Sequence, residues 1–254
     1  MIVRVNLLLL AILGTFVFLP VFAQETQDDS APPSGNASLE AKPGNNIPPI
    51  FAELEKLLGE KQYDEAIAKI DEALKATPGD FRLIGIKSFV QFKYLNNMDE
   101  SLATIDNAIA ENPKLYDLYD FKINLYRASQ LPDAKDKISE VYKDVARNFA
   151  DKPLQLSDIG FQMLRNALKD VHLESAILLL RTAKENMKSC TESEKYIILT
   201  NLARGYYFAS RADLALIEQA EAQTHANEIE KAASQQQLDF YREAAEMAKK
   251  LDEK

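Results

Sequence analysis

Short polar breaks divide the chain after Pro49 into segments in which apolar residues recur at helical spacing. Apolar residues four and seven positions apart fall on one side of a helix, so each segment predicts an amphipathic helix. Gly and Pro are few, 8 and 10 of 254 residues, and long stretches are rich in the helix-favouring Ala, Leu, Glu, Lys and Gln. The pattern predicts an all-α fold in which helices at 51–58, 81–94, 115–129, 154–169 and 192–209 are each followed by a second helix.

The second helices carry an internal repeat. Each has a small residue near its start, and the steps between these residues are 35, 33, 42 and 39; the residues are Ala66, Ser101, Ala134, Ala176 and Ala215. In the first two copies an apolar residue follows four positions on, then Ala three further, then Pro five further. A small side chain at this place allows the second helix to approach the first closely, which predicts paired helices.

The ends of the predicted helices are marked by charge, capping residues and proline. Acidic residues near the starts of the second helices complement the helix dipole, at Asp64, Asp99, Asp133, Glu174 and Asp213. Thr191 and Glu194 predict a capping box at the start of the predicted helix at 192–209. Pro132 is expected to begin a helix, and three prolines are expected to end one: Pro78, Pro113 and Pro153.

This order of residues resembles the second half of a tetratricopeptide repeat, whose period is about 34 residues. The first half is degenerate and is matched best at 201–206, where Leu202, Ala203 and Tyr206 agree in spacing and kind. The resemblance spans about 50–222 and implies an α-solenoid of about five antiparallel helical hairpins. The segment 227–251 is predicted to be a C-terminal capping helix, with the alternative that it continues unbroken from the helix containing Asp213.

The N-terminal part of the chain has a different character. Residues 1–23 contain Arg4, an apolar run, Pro20 and a small-residue exit ending at Ala23, which predicts a cleaved secretory signal. The alternative is an uncleaved membrane anchor. Residues 24–49 are rich in Pro, Asn, Asp and Ser and predict a disordered linker, followed by the helical repeat domain at 50–254. We therefore expect a periplasmic or secreted protein with no integral membrane span after cleavage.

The sequence offers no chemistry typical of an enzyme. The net charge of −9, without a basic patch, argues against a nucleic-acid partner. His172 and His225 are far apart in sequence and match no metal-ligand motif. Cys190, the single cysteine, lies in a polar break and is more readily an inert thiol than half of a nucleophilic dyad. We expect no catalysis, no metal and no cofactor.

The tetratricopeptide resemblance implies that the first helices line a concave groove that receives a peptide or partner protein. Counting back from the small residue of each second helix selects eight groove candidates: Leu83, Ile86, Val90, Tyr94, Tyr116, Tyr119, Ile123 and Tyr126. The alternative is that this apolar stripe belongs to the core. The sequence thus predicts a non-catalytic protein-binding scaffold, with a self-assembling envelope subunit and a small-ligand-binding helical protein as alternatives.

Overall fold

The computed structural model describes residues 49–166 and 172–252. The predicted signal peptide and nearly all of the predicted linker lie outside these residues. The two described stretches form eleven α-helices and one short 3-10 helix, and contain no β-strand. The predicted all-α fold is confirmed. Among the described residues, no helix is sufficiently long and apolar to span a bilayer.

The helices follow one another with short connections. Their bounds are α1 Pro49–Gly59, α2 Tyr63–Ala76, α3 Phe81–Lys93, α4 Met98–Glu111, α5 Tyr116–Ser129, α6 Ala134–Asn148, α7 Pro153–Asn166, α8 Leu173–Asn186, α9 Glu192–Phe208, α10 Ala212–His225 and α11 Glu230–Asp252. Odd and even helices pair as five hairpins, and α11 follows them, as the resemblance implies. Each predicted first helix begins within two residues of the observed one; the predicted end at Lys169 lies outside the described residues.

The described helices belong to two compact units, divided between Ala108 and Ile109. In the first unit, α2 packs against both α1 and α3. Its hydrophobic core contains Ala66 and Ile70 of α2, both fully buried, together with residues of α1 and α3: Phe51, Leu54, Leu57, Leu58, Leu83, Ile86 and Val90. The small residue predicted at position 66 therefore lies where α2 meets its neighbours.

In the second unit, hairpins stack on one another. Helix α9 packs against α10 of its own hairpin and against α7 and α8 of the preceding hairpin, and α6 packs against α8. Leu164, Ala176, Leu180 and Leu202 form a buried cluster that joins three of these helices. A buried hydrogen bond from Asn201 Nδ2 to Ser157 Oγ, 3.1 Å long, adds a polar link between α9 and α7.

Left-handed backbone turns close four of the five hairpins. The residue between first and second helix has φ between 53° and 62° in these turns, although none is glycine: Lys61, Asn96, Gln130 and Ser210. In the fifth hairpin, Arg211 N donates to Tyr206 O and Ser210 N donates to Tyr207 O, the two bonds of a Schellman motif. The corresponding turn of the fourth hairpin lies outside the described residues.

Capping signals in the sequence are mostly confirmed. Thr191 and Glu194 form the predicted capping box of α9. The unbroken alternative for the last helix is wrong, because α10 ends at His225 and Asn227 caps a new helix. Asn227 Oδ1 accepts from the backbone N–H of Glu230, and the Glu230 carboxylate accepts from the Asn227 N–H.

Two expectations about proline and the third repeat need correction. Pro153 begins α7 instead of ending α6, since the missing N–H costs nothing at the first position of a helix. Pro132 precedes α6, which begins only at Ala134. Ala134 is consequently the first residue of its helix and is only partly buried, whereas its four counterparts lie one turn further in and are buried.

Candidate functional site

The structure places most of the eight predicted groove residues in the hydrophobic cores. Six of them are buried: Leu83, Ile86, Val90, Tyr119, Ile123 and Tyr126. Tyr94 and Tyr116 are partly buried. Tyr94 stacks on Tyr63 with ring centroids 4.6 Å apart, and Tyr116 meets Phe149 edge to face at 6.4 Å. The apolar stripe that was expected to be exposed therefore packs the helices together. Counting back from the small residue of each second helix selected the buried face of the first helix.

A different set of aromatic residues, on α9 and α11, is exposed. Tyr207 and Phe208 end α9, and Phe240 lies on α11; their exposed fractions are 37%, 51% and 49%. The Tyr207 ring lies 6.2 Å from Phe208 and 5.0 Å from Phe240, between ring centroids. Tyr207 also contacts the buried Tyr241 at 5.5 Å, which anchors the exposed rings to the core.

A cation extends this patch to α7. The guanidinium carbon of Arg204 lies 5.2 Å from the centroid of the Phe161 ring, within the range of a cation–π contact. Arg204 and Phe161 are both partly buried. We call Phe161, Arg204, Tyr207, Phe208 and Phe240 the aromatic surface. It is formed by odd-numbered helices of the second unit only.

The charge of Arg204 acts within this surface. Burial raises the pKa of the Tyr241 hydroxyl, and the nearby Arg204 guanidinium lowers it in part. Arg204 forms no ion pair within the part of the chain that the structure describes. A carboxylate of a partner that binds to the aromatic surface could therefore pair with the Arg204 guanidinium, which pairs with none of the described carboxylates.

A polar cluster occupies one face of α5. Asn124 Nδ2 donates to Asp120 at 3.1 Å, and Arg127 donates to Asn124 Oδ1 at 3.3 Å. Burial raises the pKa of the Asp120 carboxyl, while Arg127 and Asn124 oppose this rise. Burial likewise raises the pKa of Tyr142 on α6, and the nearby Arg127 guanidinium opposes this rise. The hydrogen bonds of the cluster lie within α5, and the Arg127 guanidinium acts on Tyr142 of α6 by its charge.

The residues considered for catalysis have structural surroundings. Burial and the Glu194 carboxylate raise the pKa of the Cys190 thiol, which disfavours the reactive thiolate. His225 Nδ1 lies 2.6 Å from Glu192 Oε2, connecting the end of α10 to the start of α9. Lys195 and His225 together lower the pKa of Glu192 to about 2. Within 49–166 and 172–252, no group of three or more His, Cys, Asp or Glu side chains could hold a metal ion.

Comparisons with known proteins add little to this geometry. No family model matches the sequence, and no curated protein matches it. A solved structure of a thermophilic TPR protein from Thermus thermophilus is similar in part: it is 19% identical, with 78% of this chain and 97% of that chain covered, at a TM-score of 0.33. A likeness of this size supports no conclusion about function. The hairpins themselves define a helical-repeat protein.

Sequence reasoning did not identify the aromatic surface, although one signal was present. Tyr206, Tyr207 and Phe208 are consecutive, and three consecutive residues of a helix cannot all point to the same side. Since Tyr206 packs against the core, Tyr207 and Phe208 turn away from it toward solvent. Their proximity to Phe240 could not be found in this way, because it depends on how α11 packs.

Proposed function

We propose that this chain is a non-catalytic protein-binding scaffold that contacts a peptide or partner protein through the aromatic surface. The observation that carries the proposal is the cluster of exposed rings at Tyr207, Phe208 and Phe240, with Arg204 one turn before Tyr207 and Phe208 on α9. Exposed aromatic residues and arginine are enriched where proteins bind one another. Helical hairpins that stack can present such residues from successive helices on one surface.

The composition of the aromatic surface favours a particular kind of partner segment. Aromatic rings offer apolar area to a hydrophobic side chain, and they lose little conformational entropy on binding. Arg204 favours an acidic group, either a carboxylate side chain or a chain terminus. The expected partner segment therefore has an apolar anchor with an acidic group close to it.

The absence of catalysis remains part of the proposal. Its support is that the two strongest candidates for chemistry, Cys190 and His225, have a structural partner or an unreactive environment. The raised pKa of the Cys190 thiol argues against a nucleophile, and the close contact with Glu192 gives His225 a role in joining helices.

We also propose that the scaffold works outside the cytoplasm, in the periplasm or the extracellular space. The support is the pattern of residues 1–23, which resembles a cleaved signal ending at Ala23. Fractionation of cells producing the full chain tests this, together with N-terminal sequencing of the product. Recovery of the unprocessed chain from the cytoplasm would contradict it.

Site-specific cross-linking tests the binding proposal. A photoreactive residue placed at Phe208 in the full chain, irradiated in its native envelope, should yield one or a few defined adducts. Arg204→Glu should greatly reduce the adducts, because it opposes an acidic partner. The matched control is a photoreactive residue at Ile217, which is also exposed but lies on α10, outside the aromatic surface; it should give no such adduct.

Folding must be checked in the same experiment. Helical circular dichroism and the melting temperature of Arg204→Glu should stay near those of the unmodified chain, since the arginine is only partly buried. If both photoreactive positions give the same adducts, or if Arg204→Glu leaves the adducts unchanged, the aromatic surface is not the binding site.

A further inference from the structure

Helix α11 has one face that is held by the rest of the second unit. Its buried residues Ser234, Leu238 and Tyr241 face α10 and α9. Gln219 Nε2 of α10 donates to Ser234 Oγ at 3.0 Å, and Tyr241 packs with Ala203 and Ala215. These contacts fix which side of α11 is turned outward.

A second apolar stripe on α11 is covered only at its start within the described residues, where Phe240 meets Tyr207 and Ala244 is partly buried. It consists of Phe240, Ala244, Met247 and Leu251, which are spaced by four, three and four residues. Met247 and Leu251 are 64% and 72% exposed, and Phe240 is exposed at the edge of the aromatic surface. This spacing is that of the contact seam between two helices in a coiled coil. We call these four residues the α11 seam.

The charges beside the α11 seam indicate what fits on it. Glu243 and Lys250 flank the seam on the same side, seven residues apart, and both are exposed. Neither forms an ion pair among the described residues. Two copies of α11 in antiparallel orientation would place Phe240 opposite Leu251 of the other copy and Ala244 opposite Met247. The same register places Glu243 of each copy opposite Lys250 of the other copy, so the symmetric pair contains two such charge contacts.

A parallel pairing lacks these features. In that orientation Glu243 would face the uncharged Ala248 of the other helix and not Lys250. The antiparallel arrangement also sets Met247 of each copy against the small Ala244 of the other, which permits close packing there. Charge and volume therefore both favour an antiparallel contact with a helix of the same sequence.

We infer that a second copy of this chain covers the α11 seam, in a twofold symmetric dimer whose two α11 helices run antiparallel. Because the contact uses the same surface on both chains, it closes at two copies and does not propagate into a filament. This inference does not depend on the proposed partner of the aromatic surface. Phe240 belongs to both the aromatic surface and the α11 seam, but Met247 and Leu251 belong to the seam alone, so the two proposals can be tested separately.

Light scattering coupled to size exclusion tests the dimer with the full chain, processed as the cell delivers it. The unmodified protein should have twice the monomer mass at micromolar concentration and dissociate on dilution. The double variant Met247→Glu and Leu251→Glu should be monomeric at every concentration. The matched control Ile217→Glu makes the same change at an exposed residue of α10 and should remain dimeric.

A charge exchange tests the antiparallel register. Glu243→Lys alone and Lys250→Glu alone should each weaken the dimer by about ten- to a hundredfold in dissociation constant, because each makes two like-charge contacts by symmetry. The two changes together should restore the wild-type constant. Both positions are exposed, so circular dichroism should stay unchanged in all three variants.

Several outcomes would overturn the inference. A wild-type protein that is monomeric throughout removes it, as does a dimer that survives the Met247→Glu and Leu251→Glu changes. A mass that keeps growing with concentration is incompatible with a closed pair. Failure of the combined charge exchange to restore association would rule out the antiparallel register.

Discussion

Gly160 of α7 lies so close to Ala176 of α8 that a Cβ atom added to it would stand 3.1 Å from the Ala176 carbonyl oxygen. The same added atom would be 2.8 Å from Leu180 Cγ. The small residue of the second helix and a glycine of the first helix therefore meet at one point of the fourth hairpin. Close approach of the two backbones depends on both.

Gly160→Ala should destabilise the protein by about 1–3 kcal/mol, because overpacking here moves backbone as well as a side chain. Urea unfolding followed by circular dichroism measures the effect. Gly79→Ala is the matched control, since its added Cβ meets nothing within 4 Å, and it should change stability by no more than about 0.5 kcal/mol. Equal losses in both variants would contradict the close approach.

Ser88 and Ser101 form a buried pair between α3 and α4. Their hydroxyl oxygens are 2.8 Å apart, and Ser101 Oγ also donates to Ser88 O at 2.8 Å. Ser101→Ala should cost about 0.5–1.5 kcal/mol, as expected for one net hydrogen bond. The double variant with Ser88→Ala should cost less than the sum of the single changes, because each hydroxyl depends on the other. Strict additivity in denaturant unfolding would argue against the pair.

Left-handed turns offer sites for stabilisation. Ser210 has φ of 59° in the turn that precedes α10, a conformation that glycine adopts without steric cost. Ser210→Gly should stabilise the protein by up to about 1 kcal/mol, measured by thermal and urea unfolding. The neighbouring Ala209 has φ of −82°, so Ala209→Gly should instead destabilise it by about 0.5–1 kcal/mol. Opposite signs at adjacent positions make the comparison decisive.

Lys184 connects the second helices of two hairpins. Its Nζ lies 2.6 Å from Glu218 and 2.7 Å from Glu221 on α10. Burial lowers the pKa of Lys184, but the hydrogen bonds that its ammonium donates to the two carboxylates raise it more, so the net shift is upward. Its contribution to stability is therefore complete below the unfolded pKa of about 10.4 and is lost as pH rises through the higher folded pKa.

Lys184→Met should destabilise the protein by about 1–3 kcal/mol at neutral pH, because Glu218 keeps a largely buried carboxylate without its cation. The difference from wild type should shrink in strongly alkaline buffer. Lys143→Met, which removes an exposed and solvent-screened pair with Glu140, should leave stability nearly unchanged. An effect of Lys184→Met that stays constant up to the alkaline limit would contradict the assigned role.

Asp120 should act in the opposite direction with pH. Burial raises its folded pKa, so its ionisation destabilises the fold progressively as pH rises through the unfolded value of about 3.9 and up to the folded value. Asp120→Asn should therefore raise the melting temperature at pH 7, and the gain should vanish at low pH. Asp117→Asn, at an exposed residue of the same helix, serves as control. A lower melting temperature for Asp120→Asn at neutral pH would mean that hydrogen bonding to Asn124 outweighs burial.

Helix positions could be predicted well because their signals are local. Proline and capping residues mark the ends of most helices, and the buried Ala66, Ser101, Ala176 and Ala215 confirm four of the five small positions. Ala134 is not buried like the other four, because α6 begins at Ala134 itself, whereas the other second helices begin three residues before their small residue. The spacing of the repeats does not show where a helix begins.

Which face of a first helix is exposed could not be predicted. Most of α3 is buried on every side, so its sequence carries no contrast between an inner and an outer face. In α5 the apolar residues Tyr119, Ile123 and Tyr126 pack inward, while Asp120 and Asn124 form the polar face. Exposure depends on the neighbours that each hairpin meets, and these contacts are not contained in a local pattern.

The serine pair between α3 and α4 has a consequence for how the hairpins can be rearranged. Ala66 and Ala176 occupy the corresponding position in two other second helices and carry no hydroxyl group. A chimera in which α4 is exchanged for either of those helices would leave Ser88 without its matching side chain. The Ser88–Ser101 contact therefore favours α4 over the other second helices as the partner of α3. In a chimera, α3 and α4 should be transferred together.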